Sequence, residues 1–186
     1  MAGWRKNMID KLQKKALELG AFKAGIVSAS QIKTDAYFRK MCEANMCGNY
    51  GRSYTCPPDI GPIEELMAKV KTFDNVLVYQ TVGELEDSYD FEGMMEIGER
   101  HNILVQKLWD YTEELGCTDA LHLGAGGCRV CSVCGKKTGE PCRNPKRAMG
   151  SLEAYGINVS ELAAQAGMKY INGQNTVTYF GAVFLK

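Results

Sequence analysis

The sequence predicts an α/β fold, a single three-layer-like domain in which helices flank a mixed sheet of about four main strands. Three observations predict it. Segments with helical periodicity alternate along the chain with short apolar runs, a pattern typical of α/β proteins. The length of 186 residues suits one domain spanning residues 1–186. Two stretches rich in glycine and cysteine interrupt the pattern, and we interpret them as inserted metal-binding loops.

The first half of the chain is predicted to alternate helices and strands. Apolar residues recur every three or four positions near the start, which predicts a helix with one buried stripe. Gly20 is expected to end this helix, and Pro62 suits the first turn of a later one. The stripe consists of Trp4, Met8, Leu12, Ala16 and Leu19. The predicted elements are helices at residues 4–19, 35–43 and 62–71 and strands at residues 21–30 and 75–82.

The second half is predicted to contain two more helices and the remaining strands. A long helix is expected where apolar residues follow a helical spacing. Asn158 and Glu161 are spaced like a capping box, and Gly167 is expected to end the helix that they begin. Asn172 and Gly173 suit the turn of a hairpin. The predicted elements are helices at residues 91–115 and 158–167, a strand at residues 120–123 and a hairpin with arms at residues 169–171 and 176–185.

The charge of the chain is balanced, with 22 basic and 22 acidic side chains. A nucleic-acid-binding protein usually has an excess of positive charge, so we expect no nucleic acid and no membrane among the partners. No apolar run approaches the roughly 18 residues of a membrane span. The basic N-terminal segment lacks the apolar core of an export signal. We therefore expect a cytoplasmic protein.

Eight cysteines are the unusual feature of the composition. Disulfides would be the first interpretation in a secreted chain, but reducing compartments do not keep structural disulfides. Metal or redox chemistry is therefore favoured. Seven of the cysteines fall into two local groups, at residues 42–56 and 128–142.

The second group has the spacing C-x2-C-x2-C-x7-C. Three cysteines at this spacing, followed closely by a fourth, allow a short loop to surround a cubic cluster of iron and sulfide. The cysteine motif of bacterial ferredoxins begins with the same C-x2-C-x2-C spacing. A [4Fe-4S] cluster is the predicted cofactor. Zinc is the alternative, because four thiolates also form a closed tetrahedral site, although zinc loops usually pair two C-x2-C units across a longer gap. The members of this group are Cys128, Cys131, Cys134 and Cys142.

The first group has three local cysteines, Cys42, Cys47 and Cys56, in a loop rich in glycine and proline. Glycines let the backbone approach a bulky ligand, and prolines restrict the loop. We interpret this loop as a second metal centre. Either Cys117 completes it or one corner stays open, in which case an iron there could bind water, a substrate or a sulfur atom. Cys117 is equally well explained as a small buried apolar residue.

Two histidines and a cluster of basic residues complete the list of candidates. His101 lies on the apolar stripe of the long helix and His122 lies within an apolar strand, so we interpret both as core or pocket residues rather than ligands. The basic residues could stabilise a reduced cluster, dock an acidic redox partner protein, or pair with the acidic stretch at residues 84–99. They are Arg129, Lys136, Lys137, Arg143, Lys146 and Arg147, with Glu140 among them.

Three runs carry a resemblance to a known family. They are CGNYGRSYTCPP from Cys47, GAGGCRVCSVC with PCRNP from Gly124 to Pro145, and SLEAYGINV from Ser151. The chain resembles the uncharacterised predicted metal-binding proteins called domain of unknown function 2284. The resemblance implies a bacterial or archaeal protein of the cytosol that binds iron-sulfur or another metal, with no settled activity. It implies as ligands the seven grouped cysteines and does not extend to Cys117.

These observations favour an iron-sulfur protein with two clusters of the [4Fe-4S] type that acts in electron transfer with a redox partner. The first alternative is a redox enzyme in which an open iron at the first cluster acts on a small-molecule substrate or transfers sulfur. The second is a structural module stabilised by zinc. No dinucleotide fingerprint or P-loop is found, so electrons are expected to come from another protein.

Overall fold

The computed structural model describes residues 2–186, with side chains described from Asn7 onward. The side chain of Trp4, which was predicted to begin the buried stripe of the first helix, lies outside the described residues. Met8, Leu12 and Ala16 of that stripe are buried as predicted. No helix in the described chain is long and apolar enough to cross a membrane.

Helices and strands alternate along the chain, so the predicted α/β class is confirmed. The helices are α1 (Ala2–Glu18), α2 (Tyr37–Glu43), α3 (Ile63–Val70), α4 (Phe91–Glu114) and α5 (Val159–Gln165). The strands are β1 (Lys23–Ser28), β2 (Asn75–Glu84), β3 (Leu121–Gly124), β4 (Gly150–Ser151) and β5 (Thr176–Leu185). Short 3-10 turns lie at Ala29–Gln31, Gly135–Thr138 and Glu153–Tyr155.

The strands form one mixed sheet in the order β1-β2-β5-β3-β4. The two ten-residue strands β2 and β5 pair antiparallel along their whole length, from Asn75 opposite Leu185 to Glu84 opposite Thr176. β1 and β3 are antiparallel to their neighbours β2 and β5. β4 alone is parallel to its neighbour, β3. Four strands of appreciable length and one of two residues match the predicted number.

The sheet separates two apolar layers. Because side chains alternate across a strand, Val76 and Val78 of β2 face one layer and Leu77 and Tyr79 face the other. The first layer is covered by α3 and α5, and the second by α1 and α4. Helices on both faces of a sheet give the three layers that the sequence predicts.

The predicted hairpin near the C-terminus is wrong. Residues 169–171 form no strand, and β5 pairs with β2 and β3 instead. The physical reason is burial: residues 180–185 are buried, and β2 offers a partner of equal length that a three-residue arm cannot match. Pro62 also lies just before α3 rather than in its first turn, with an extended ψ of 139°. β4 was not predicted, since two residues carry no periodic pattern.

The parallel pair β3 and β4 places two loops at one edge of the sheet. Leu123 lies opposite Gly150, and Gly124 opposite Ser151. Both strands therefore end on the same side, where β3 continues into the second cysteine group and β4 into the turn at Glu153–Tyr155. In open α/β sheets the carboxyl ends of strands are the usual place for a binding site.

The centre of the sheet has no room for a side chain at Gly181. A Cβ atom there would lie 2.4 Å from the Cζ atom of Tyr79, which is fully buried. We expect Gly181→Ala to lower the free energy of unfolding by about 1–3 kcal/mol, the usual cost of overpacking a core. Urea denaturation of the variant beside the native chain measures this.

Tyr79→Phe is the matched control for this packing. The Tyr79 hydroxyl is buried and has no hydrogen-bond partner among the described residues. Removing it should leave stability unchanged or raise it, because a buried polar group without a partner is costly. Equal stability of Gly181→Ala and the native chain would contradict the packing described here.

Candidate metal centre

Three cysteines of the first group line one cavity, which we call the Cys42 cavity. Cys42, Cys47 and Cys56 all contribute to its wall, and its volume is about 340 Å³. Cys42 comes from α2, and the other two come from the loop that follows. The fold thus brings to one cavity wall three cysteines that are spread over fifteen residues.

Turns in the loop bring Cys47 and Cys56 back towards α2. Asn45 and Gly48 adopt positive φ angles of 54° and 69°, a conformation that glycine and asparagine tolerate best. The N–H of Gly51 donates a hydrogen bond to the carbonyl oxygen of Pro57 at 2.8 Å. This contact folds the loop so that its two cysteines face the same cavity.

Burial and neighbouring negative charge disfavour free thiolates in this cavity. Burial raises the pKa of Cys56 to about 11, with smaller contributions from Cys47, Cys42 and Cys128. Burial also raises the pKa of Cys42, and Glu153 adds to the effect. At neutral pH these thiols are protonated unless a cation displaces the protons. Metal binding supplies such a cation, because the metal binds the thiolate form.

The rest of the Cys42 cavity is largely apolar and aromatic. Met46 stands 93% exposed at the surface, and Met41 is 55% exposed. Glu153 contributes a carboxyl group from the turn after β4. The apolar and aromatic side chains in the wall are Phe38, Met41, Met46, Tyr50, Val159 and Tyr170.

The four cysteines of the second group line a separate depression, which we call the Cys128 cavity. Cys128, Cys131, Cys134 and Cys142 all contribute to it. Gly135 allows the loop to close, because a Cβ atom there would lie 2.6 Å from the carbonyl oxygen of Pro141. This close approach brings Cys142 next to the other three, so the seven-residue gap in the motif does not separate it from them.

Hydrogen-bond donors point at two of these sulfurs. The Nδ2 atom of Asn144 donates to Cys131 Sγ at 3.2 Å. Burial opposes ionisation of Cys134, but the N–H groups of Lys136 and Tyr54 and the Ser53 hydroxyl outweigh it, so the pKa of this thiol is lowered. Donors aimed at sulfur favour the thiolate form, which is the form that binds metal.

One short segment separates the two cavities. Ser53, Tyr54 and Thr55 line the Cys128 cavity, and the next residue, Cys56, lines the Cys42 cavity. Three residues span at most about 11 Å of extended chain, so the two cavities lie side by side. Tyr54 is held in place by a hydrogen bond from its hydroxyl to the carbonyl oxygen of Glu140 at 2.9 Å.

The described residues form no preassembled single-ion site. Across residues 2–186, no group of three or more His, Cys, Asp or Glu side chains is arranged to hold a metal ion. The donors that line the two cavities are thiols, whose thiolate forms are soft ligands that suit zinc and iron-sulfur clusters alike.

Comparison with known proteins agrees with the chemistry of this donor set. A family model described as predicted metal-binding protein, domain of unknown function 2284, matches residues 25–185. The chain belongs to this family. The match includes every cysteine of both groups and confirms the resemblance carried by the three sequence runs. No curated protein matches the chain, and no solved structure does.

Cys117 lies away from both groups of this predicted metal-binding protein. It packs against the layer formed by α1 and α4 and lines another cavity together with Met8, Asp119 and Lys186. The structure therefore does not bring Cys117 to the Cys42 cavity. Its surroundings agree with the alternative interpretation of a small apolar residue.

Neither histidine lies at a cysteine cavity. His101 is buried on α4, where its Nδ1 atom hydrogen-bonds Thr81 Oγ1 at 2.9 Å. His122 is buried on β3 and stacks on Trp109, with ring centres 4.1 Å apart. The interpretation of both as core residues agrees with these positions. Burial lowers the pKa of His101 to about 4 and that of His122 to about 3.

The basic residues around the second cysteine group form ion pairs with acidic residues that lie outside the stretch at residues 84–99, the predicted partner. Lys136 pairs with Asp59 at 2.5 Å, next to the Cys128 cavity. Arg143 pairs with Glu140, and Arg147 pairs with Asp110 and with Glu113 on α4. The pairs of Lys136 and Arg147 hold the second cysteine loop to its surroundings, whereas the Arg143 pair lies within the loop.

Sequence reasoning missed several residues that shape the site. Ser53 and Tyr54 belong to the first motif but contact the second group. Glu153 lies about a hundred residues beyond the cysteines whose cavity it shares. Its only signal was its place in the SLEAYGINV run, which carried the family resemblance without indicating a role.

The buried histidines should make the fold sensitive to acid. The pKa of His122 is lowered from its ordinary 6.5 to about 3 in the folded chain, so below pH 6.5 the unfolded chain binds a proton that the folded chain does not. The free energy of unfolding therefore keeps the whole contribution of neutral His122 above pH 6.5 and loses it as the pH falls towards 3. The slope is up to about 1.4 kcal/mol per pH unit for each buried histidine.

His122→Phe keeps a ring to stack on Trp109 and removes the titrating group. We expect its free energy of unfolding to fall less steeply between pH 6.5 and pH 4 than that of the native chain, as measured by urea denaturation at several pH values. Identical slopes for the two proteins would show that His122 is not held in its neutral form.

Proposed function

We propose that this chain is an iron-sulfur protein that carries electrons through two adjacent centres. The observation that supports it best is the division of seven cysteines between two cavities that share the segment from Ser53 to Cys56. Four cysteines line one cavity and three line the other. Two neighbouring clusters would use all seven.

The Cys128 cavity has the residues for a complete [4Fe-4S] cluster. Cys128, Cys131, Cys134 and Cys142 would each bind one iron, as four cysteines do in such clusters. A bound cluster of this kind accepts and releases one electron at a time. The amide of Asn144 donates to Cys131, and the Ser53 hydroxyl donates to Cys134. These donors stabilise negative charge on sulfur and so favour the reduced form.

Positive charge around the Cys128 cavity supports a role in electron exchange with another protein. Lys137, Arg143 and Lys146 surround the loop, and Lys137 and Arg143 interact with cavity cysteines. Such a surface suits an acidic docking face on a redox partner, because complementary charge speeds encounter. The second proposed centre, at Cys42, Cys47 and Cys56, adjoins the first through the shared segment, and an electron would pass between the two there.

A second candidate function is a redox enzyme whose reaction takes place at the Cys42 cavity. The observation that favours it is the cavity itself, which has about 340 Å³ and only three cysteines in its wall. Methionine and aromatic side chains line it, as they do many pockets for small molecules. A small molecule or a sulfur atom could reach the centre there while the complete cluster supplies electrons. A zinc-stabilised module is less well supported, because zinc loops usually pair two C-x2-C units across a longer gap than the C-x2-C-x2-C run of the second group.

Iron and sulfide content tests this proposal directly. Protein purified without oxygen should be brown, absorb broadly near 400 nm, and contain about eight irons and eight sulfides per chain, four of each for every cluster. Cys142→Ala removes one ligand of the complete cluster and should reduce the content towards four. Cys117→Ala is the control and should leave content and spectrum unchanged, since this thiol lies in another cavity. A colourless protein with stoichiometric zinc would rule out both cluster-bearing functions.

The reduction potential of the complete cluster should respond to Asn144. Asn144→Ala removes the hydrogen bond to Cys131 Sγ. If that bond favours the reduced state by about 0.5–1.5 kcal/mol, its loss lowers the potential by about 20–60 mV for a one-electron couple. Electron paramagnetic resonance during a redox titration measures the shift.

Asn102→Ala is the matched control for the potential. The Asn102 amide donates to the carbonyl oxygen of Arg129 at 3.2 Å, beside the same loop but not to a sulfur. Its removal should leave the potential where it is. A shift of equal size in both variants would attribute the effect to movement of the loop rather than to the hydrogen bond at sulfur.

A further inference from the structure

We infer that Glu153 is the non-cysteine ligand that completes the centre in the Cys42 cavity. The inference rests on the proposed function, which assigns a cluster to that cavity. It adds a fourth ligand that neither cysteine motif contains.

The fold holds Glu153 next to Cys42. Glu153 begins the 3-10 turn that follows β4 and lines the same cavity as the three cysteines. The side chain of Arg39 ties α2 to this turn, because its Nη2 atom donates to the carbonyl oxygen of Ala154 at 3.2 Å. α2 also carries Cys42. The helix with the thiol and the turn with the carboxyl are therefore held together.

No cation in the described chain pairs with the Glu153 carboxylate. The nearby Arg39 uses its guanidinium on two backbone carbonyl oxygens, those of Gly61 at 3.0 Å and Ala154 at 3.2 Å. Glu153 receives a hydrogen bond from the Ser151 hydroxyl. A partly buried carboxylate is costly unless a positive charge lies beside it. Iron bound among these groups would supply that charge.

The amide and serine side chains that line the cavity wall have other partners. Asn158 caps α5, where its Oδ1 atom accepts from the N–H groups of Ser160 and Glu161. Asn49 donates from its Nδ2 atom to the carbonyl oxygen of Cys47 at 3.2 Å. The Ser151 hydroxyl oxygen accepts from the N–H of Ala154 at 3.1 Å. Among the described residues that line the cavity, Glu153 is the one with a carboxylate side chain.

A carboxylate ligand would make the iron that it binds chemically different from the three irons bound by cysteine. Oxygen ligands are harder than thiolates and bind the sulfur-rich irons of a cluster less strongly. The iron next to Glu153 would thus be the one that exchanges its ligand most readily. It would face the apolar wall of the cavity, where Met41 and Tyr170 leave room for an incoming small molecule.

The test compares three variants after loading with ⁵⁷Fe without oxygen. Glu153→Gln removes the anionic oxygen and keeps the shape of the side chain. Glu153→Cys offers a fourth thiolate. Glu43→Gln is the matched control, because Glu43 also carries negative charge beside Cys42 but is exposed and lies outside the cavity wall. Mössbauer spectroscopy reports the ligands of each iron, and a chelator such as EDTA reports how fast iron is lost.

We expect the native protein to show one iron whose isomer shift indicates an oxygen ligand. Glu153→Gln should change that iron alone and speed iron loss from this centre about tenfold or more, in line with the loss of a ligand or its close support. Glu153→Cys should make the four irons alike and slow the loss. Glu43→Gln should match the native protein in both measurements.

The outcomes separate this inference from the proposed function. If the native protein holds about eight irons and Glu153→Gln leaves the Mössbauer spectrum and the rate of iron loss unchanged, the inference is wrong and the proposed function stands. If the native protein holds no iron, both are wrong. Should Glu153→Gln fail to fold, Glu153→Cys decides: a spectrum identical to that of the native protein would overturn the inference.

Discussion

The convergence of negative charge on two adjacent cavities is the constraint on which the rest of this structure depends. Seven cysteines and one glutamate line the two cavities that meet at the short segment Ser53–Cys56. Thiolates packed this closely repel each other, and burial raises the pKa of Cys56 and Cys42 further. A fold that collects such groups is stable in one of two conditions, with the groups protonated or with cations bound among them. Membership of a predicted metal-binding family agrees with the second.

The α/β scaffold creates this convergence through the short parallel pair β3 and β4. The long antiparallel strands β2 and β5 form a rigid centre with apolar layers on both faces. β3 and β4 end together at the edge and deliver residues 125–128 and the turn at Glu153 to the same side. The first cysteine loop fills the space between them. Gly135 then closes the second loop on itself, which brings Cys142 back to the other three cysteines.

The sequence predicts the secondary-structure elements that have a periodic apolar pattern and the groups of ligands that are close together along the chain. Helix periodicity locates α1 and α4, and apolar runs locate β2 and β5. The cysteine spacing predicts two groups because ligands close in sequence are close in space. Relations between distant segments carry no such signal. Nothing local indicates that Ser53 would serve the second group, that Glu153 would share a cavity with Cys42, or that β5 would prefer β2 to a hairpin arm. These relations follow from the order of strands in the sheet, which is decided by burial across the whole chain.

Cys117 is the opposite case. Its residue type alone made it a candidate ligand, but in the fold it packs against α1 and α4, away from the cysteine cavities.

The segment Ser53–Cys56 also gives the two cavities a shared stretch of wall. One face of it lines the Cys128 cavity and its last residue lines the Cys42 cavity. A ligand that orders this segment in one cavity would lower the conformational-entropy cost of binding a ligand in the other cavity. By reciprocity the benefit is equal in both directions. If both cavities bind the proposed centres, half-filled chains would be disfavoured relative to empty and full ones, and cofactor assembly would be cooperative through this stretch of four residues.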